Sequence, residues 1–261
     1  MNFAECFGGT KQAEGNWQFE LDETINGAFS GTTGGVLAAL TVFVARDLAP
    51  NWRVSGVDAR FIRSFRPGTA SVIATVVNAG RTLSTVQVDL ANSAGKLCTR
   101  ALVSLVNPQM LGELDHAGIE PPAELLASSQ AKPWPQPEPP MQIPLLDTFE
   151  PVYYGKTSAG IATGIKTIWD LTEHCAEAVC IAADISVGPP VMSALKGQPV
   201  ATPNPDISLR FCAETELPHY LVACCRLESL VAGLATTRIE VWAGSTLLAV
   251  GVSTTTCLRS S

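Results

Sequence analysis

The stretch NGAFSGTTGGVLAALTVFVARDL, from Asn26 to Leu48, sets a glycine-, serine- and threonine-rich approach against an apolar run with a helical pattern. The first turn of a helix carries N–H groups without intrahelical partners and a partial positive charge. Gly34 and Gly35 would clear the way for an oxygen atom to reach those donors. The same glycines would also let the helix pack closely on a neighbour. Asn26 either adds an amide to such a site or forms a turn with Gly27. A second chemical group is Asp206, in PDISLRF, flanked by apolar strand-like residues. Partial burial there would raise its pKa toward a range useful to a general base. The alternative is a strand-start residue following the turn in TPNPD. Asp184 sits in the helical pattern HCAEAVCIAADI and could face the cleft instead, while His174 opens that helix in a capping or solvent-facing role. Asp58, in a similar strand of the first half, reads as structural.

Other chemistries find little support. Eight cysteines are present but none forms a C-x-x-C pair, and there are three histidines, so neither a zinc site nor any cofactor is expected. The cysteines fall mostly in apolar strand patterns and read as small core residues. The net charge of −7, with 17 Lys and Arg, is a poor footprint for nucleic acid. No apolar run reads as long enough to span a bilayer, so no membrane partner is expected. The opening MNFAECFGGTKQAEGNW lacks the basic start and apolar core of a secretory signal. A reducing compartment, cytoplasmic or peroxisomal, with free thiols is the expectation.

The elements that must position these groups come from two similar halves. Residues 107–151 are dense in proline, including KPWPQPEPPMQIP, and read as a linker or lid in extended form. They divide a first repeat, 1–106, from a second, 152–261. In each half a helix precedes a strand, a break, and three long strands joined by turns. Arg60-Phe61 matches Arg210-Phe211, and the turns at Gly95 and Gly244 then fall nearly in register. TRIEVWAGSTLLAVGVST alternates around a short turn, as an antiparallel hairpin does. Asp170-Leu171-Thr172-Glu173 resembles a capping box for the second helix, which GPP at 188–190 stops or kinks. The fold expected is α+β: one buried helix wrapped by a curved antiparallel sheet, made twice, with the two sheets paired edge to edge.

The glycine-rich helix entrance, Phe65-Arg66-Pro67, Gly80-Arg81-Thr82 and PDISLRF, in that order, resemble double hot-dog acyl-CoA thioesterases of the thioesterase II type. The resemblance covers both halves and omits the proline-rich segment. It implies hydrolysis of an acyl thioester, on coenzyme A or on a carrier protein, by an activated water. The water would be held by an aspartate at Asp206, a hydroxyl near Ser229, and a third residue at Ser253 or its neighbour Thr254, where the family has glutamine. Serine is too short to replace glutamine's reach directly. Gly35 would then be the oxyanion donor, with Gly34 and Asn26 beside it. Arg63, Arg66 and Arg81 could meet the phosphates of coenzyme A or of phosphopantetheine, or simply be solvated strand-edge arginines. Such proteins look oligomeric by the same resemblance, so a homo-oligomer is implied. Two other functions fit the missing glutamine: a non-hydrolytic step in a biosynthetic pathway (dehydration, cyclisation or product release), and acyl binding without turnover.

Overall fold

The computed structural model describes residues 1–113, 115–116, 118–123, 131–134, 142–169, 174–198 and 200–258. The expected capping box at Asp170–Glu173 lies outside the described residues. The first half runs α1 (Phe3–Cys6), β1 (Thr10–Ala13), β2 (Asn16–Leu21), α2 (Gly34–Arg46), β3 (Arg53–Phe61), β4 (Gly68–Ala79), β5 (Leu83–Asn92) and β6 (Leu97–Val106). After it come β7 (Lys132–Pro133), α3 (Leu145–Phe149), β8 (Val152–Thr157), β9 (Gly160–Lys166), α4 (Cys175–Ser186) and α5 (Gly188–Leu195). Four strands complete the chain: β10 (Asp206–Phe211), β11 (Tyr220–Val231), β12 (Leu234–Ala243) and β13 (Thr246–Thr256).

Alternation decides the two faces of the strands. Ile207 and Leu209 of β10 are fully buried, while Asp206, Ser208 and Arg210 take the other face. Val57 and Ala59 of β3 are likewise buried, on either side of the outward-facing Asp58. Among the described residues all pairings are antiparallel, in a sheet of 13 strands ordered β1-β2-β4-β5-β6-β3-β10-β13-β12-β11-β9-β8-β7. The β3–β10 pair, from Asp206 opposite Arg60 to Arg210 opposite Gly56, joins the halves edge to edge, as expected from the sequence. Both outer edges are short, and β7 ends in Pro133, which blunts further pairing. Gly95 and Gly244 turn the β5–β6 and β12–β13 hairpins at φ of 70° and 57°, a conformation costly for other residues. The hairpins β1–β2 and β8–β9 were not anticipated.

The helices lie on the inner face. α2 packs on β3 to β6, and α4 on β9 to β13. A helix that is apolar all round belongs in a core, and 10 of the 13 residues of α2 are buried. The two helices run antiparallel against each other. Gly35, at the start of α2, meets Ile181 and Asp184 near the end of α4; a Cβ there would stand 2.8 Å from the Asp184 Cβ and the Ile181 Cα. At the opposite end, Arg46 in the last turn of α2 donates to both oxygens of the fully buried Glu177 carboxylate, each at 3.1 Å, in the first turn of α4. Each charge lies at the helix end whose dipole favours it. Gly188 and Pro189 break the helical path after Ser186, and α5 continues at a kink. One expectation is corrected here: the helical stretch Cys175–Leu195 has the length and the hydropathy, 1.6, of a membrane span. In this fold 67% of its most apolar window is buried inside the protein.

Candidate active site

A cavity of about 1470 Å³ opens at the tip of α2. Thr33, Gly34 and Leu37 form one wall, Asp184 and Ile185 of α4 a second, and Met192 of α5 with residues 200–205 a third. The proline-rich segment contributes Trp134, Ile143, Leu145 and Leu146, so part of it covers the cavity. α3 is anchored there by Leu145 N–H to the Asn26 carbonyl at 3.1 Å and by the Thr148 hydroxyl to the Thr24 carbonyl at 2.7 Å. Among the described residues, Asp184 and Arg63 are the only charged side chains lining this largely apolar space.

Asp184 organises the inner wall. Thr33 is the N-cap of α2 but makes no side-chain cap bond to its own helix. Its hydroxyl instead donates to Asp184 Oδ2 at 2.6 Å, and the Gly35 N–H donates to the same oxygen at 2.8 Å. A carboxylate from α4 therefore caps α2 in place of a local side chain. The second oxygen, Oδ1, has Asn204 Nδ2 at 3.5 Å, too long for a strong hydrogen bond, so it keeps acceptor capacity. Burial pushes the Asp184 carboxyl above its ordinary range, against the hydrogen bonds from Thr33, Gly35 and Asn204 that favour the charged form. Asn204 is itself held by the Thr255 hydroxyl, 2.8 Å from its Oδ1.

Residues 25–106 match the family described as acyl-CoA thioesterase N-terminal domain. Whole-chain likeness comes from solved structures. Acyl-CoA thioesterase II TesB2 from Mycobacterium marinum superposes with a TM-score of 0.73 at 14% identity, over 100% of this chain and 99% of that one. A protein of unknown function with a hot dog fold from Alicyclobacillus acidocaldarius gives 0.71 at 16%, covering 97% and 96%. The tesB protein of Mycobacterium avium subs paratuberculosis gives 0.70 at 15%, covering 96% of each. A search of curated protein sequences finds no match. The chain is similar to acyl-CoA thioesterases, and its fold is a hot-dog fold.

The residues that the thioesterase resemblance singled out do not all meet at the cavity. Asp206 takes the face of β10 opposite the buried Ile207, where it pairs with Arg60 and accepts the Thr254 N–H at 2.9 Å. Asp206 and Gly35 thus do not share one crevice, because strand alternation turns the carboxylate away from the helices. The Ser253 hydroxyl is buried on the inner face and is committed to the Asp206 backbone carbonyl at 2.7 Å. Ser229 is exposed on β11, three strands from Asp206 in the order β10-β13-β12-β11, which corresponds to roughly 14 Å. Such a separation prevents Asp206 and Ser229 from gripping one water.

Gly34 lines the cavity and abuts the Phe61 ring, whereas the N–H of Gly35 is already taken by Asp184. Asn26 is buried beside the cavity, its backbone serving α3. Arg63 lines the rim, with its Nη1 donating to the Leu97 carbonyl at 2.7 Å. Arg66 and Arg81 flank the two ends of the 12-residue β4, roughly 35 Å apart, so the three arginines cannot hold one coenzyme A headgroup together. Asp58 pairs with Arg210 and Ser208 on the outer face, as a structural residue does. His174 is the N-cap residue of α4 but makes no side-chain cap bond, and its ring packs against Phe3 and Phe43 rather than facing solvent. Thr33 and Asn204 were missed. Thr33 had a readable signal, an N-cap residue immediately before the helical pattern.

Proposed function

We propose that this chain hydrolyses an acyl thioester, on coenzyme A or on a carrier's phosphopantetheine, with the acyl group in the cavity at the tip of α2. The architecture supporting this reading is two tandem hot-dog repeats, 1–106 and 152–261, with 107–151 between them contributing part of the cavity wall. The observation that carries it is the Asp184 carboxylate, buried in the wall of an apolar cavity with Oδ1 short of donors. Asp184 takes a proton from water, the hydroxide adds to the thioester carbonyl, and the Gly34 N–H at the positive end of α2 stands nearest the developing oxyanion. Collapse breaks the C–S bond, and the proton returns from Asp184 to the leaving thiolate. Arg63 at the rim suits the anionic end of the thiol carrier. Geometry favours Asp184 over Asp206 as the base, and the resemblance alone favours Asp206.

The test is thiol release from a panel of acyl-CoAs by the wild type, Asp184→Asn and Asp206→Asn. Asp184→Asn should lower kcat by about 100-fold or more, the usual contribution of a positioned base, while Asp206→Asn retains most of the activity. No thiol release by the wild type with any acyl-CoA or acyl-carrier would reject hydrolysis. The reverse ranking of the two variants would return the role to Asp206.

A further inference from the structure

The cavity at the tip of α2 has a counterpart at the tip of α4, and that counterpart is full. Counted outward from the β3–β10 pair, the strands of each half follow in the same succession, so positions can be matched between them. α1 precedes the hairpin β1–β2 just as α3 precedes β8–β9. Phe3 and Leu145 each stand seven residues before their hairpin's first residue, Thr10 or Val152, and Phe7 and Phe149 each stand three before it. Phe43 and Asp184 are each the tenth residue of their helix. His174 and Thr33 immediately precede α4 and α2, and Trp169 and Ala28 lie six residues before those helices begin.

Contacts agree with this matching. Asp184 holds Thr33 at one pole, and at the other the Phe43 ring faces His174 with centroids 5.6 Å apart. Leu145 lines the open cavity from α3. Its match, Phe3, sits in the middle of the opposite pole, 4.9 Å from the Phe43 ring centroid and 5.0 Å from those of Trp169 and Phe7. Of the five matched positions, four carry the larger side chain there, Phe3 for Leu145, Phe43 for Asp184, Trp169 for Ala28 and His174 for Thr33, and the fifth, Phe7 for Phe149, is the same residue. Phe3, Phe7 and Trp169 are all buried. A four-residue helix has no stability of its own. α1 is held by its Asn2–Glu5 capping box and by the burial of Phe3.

We propose that the pole at α4 is a second site for an apolar acyl chain, built like the first and occupied by the protein's own N-terminal helix. One polypeptide therefore takes one acyl group. This rests on reading the open cavity as an acyl site. It adds that Phe3 and Trp169 stand in the space where a second chain would lie. Phe43 also replaces the carboxylate there, so emptying the pole restores binding without restoring hydrolysis.

Calorimetric titration with decanol, a neutral apolar probe, tests the assignment on the full chain. The wild type should take one decanol per chain, and Phe3→Ala/Trp169→Ala, checked as folded by its melting transition, should take one more. A folded double variant with the wild-type stoichiometry overturns the proposal, as does a wild type that takes two. Should that variant not fold, the reverse change decides. Ala28→Trp/Leu145→Phe gives the open pole the contents of the closed one and should reduce binding from one to none; undiminished binding in this variant is the overturning result. Thiol release by the wild type is read separately, and its absence removes the hydrolase reading while leaving the stoichiometry comparison intact.

Discussion

Asp184 stands where the side chain of a helix cap would stand, yet it comes from the neighbouring helix. That position accounts for both its hydrogen bonds and its electrostatics: α2's dipole and two donors favour the charged carboxylate, and burial disfavours it more strongly. Because the folded-state pKa lies above the ordinary carboxylate value, Asp184 contributes most to stability at pH below that value. The contribution is lost as pH rises through the folded-state pKa. Asp184→Asn carries no such titration. Melting curves of wild type and variant between about pH 4 and about pH 7 should therefore show the wild type losing ground to the variant as pH rises; a gap that stays constant with pH would contradict the raised pKa. The same titration governs catalysis with opposite sign: the base acts when ionised, so kcat/KM should climb with pH along a limb absent from Asp184→Asn. The sequence made Asp184 visible as a cleft-facing alternative but placed Asp206 first. Counting inward and outward positions along PDISLRF corrects that order, since Ile207 and Leu209 must be the core residues. What no single-chain pattern contains is the partnership of Thr33 with a carboxylate 151 positions away.

The pair of antiparallel helices shows why the glycines before VLAAL had two readings. Gly35 serves close packing, because its bare Cα lets α4 approach and brings Asp184 to the tip of α2. Gly34 faces the cavity. In Gly35→Ala the new methyl would meet the Asp184 Cβ, the Ile181 Cα and the Cys180 carbonyl oxygen at 2.8–2.9 Å, two of them backbone atoms. Such overpacking costs about 1–3 kcal/mol, and the helices must part to relieve it. The expected outcome is a lower urea midpoint together with a large loss of whatever activity Asp184 supports. Unchanged activity in a destabilised Gly35→Ala would separate packing from the site. The helices and the long strands were legible because alternation and apolar periodicity agree over their whole length. The hairpins β1–β2 and β8–β9 were not, because they are short and neither β1 nor β8 alternates in burial: TKQA is exposed throughout, and VYYGKT is half-buried at all but one position. α3 was hidden by its prolines, since Pro144 precedes its first residue and Pro151 follows its end.

At the scale of the whole molecule, the two halves share a seam that neither can lose alone. It consists of the β3–β10 ladder, the contact of Gly35 with α4, and the buried Arg46–Glu177 pair. Leu209 and Val57 are both fully buried and stand opposite each other at the ladder. If either half unfolded, the other would expose a central strand edge, the buried face of a largely apolar helix and one member of a buried ion pair. Removing one partner of such a pair alone costs about 3–5 kcal/mol. The halves should therefore melt in a single transition despite a chain length at which independent domains are common. Calorimetry provides the measurement. For 261 residues the unfolding enthalpy near 60 °C should be about 180 kcal/mol, and the van't Hoff enthalpy should equal it. Val86→Ala on β5 and Ile239→Ala on β12 remove buried side chains on opposite sides of the seam. Each should move the entire peak to lower temperature, Ile239→Ala by the larger amount, since Ile→Ala in a core costs about 2–5 kcal/mol. Two peaks, with each variant shifting only its own, would mean that the seam is weaker than either half. The cavity at α2, whose walls come from both sides of it, would then come apart before either half had melted.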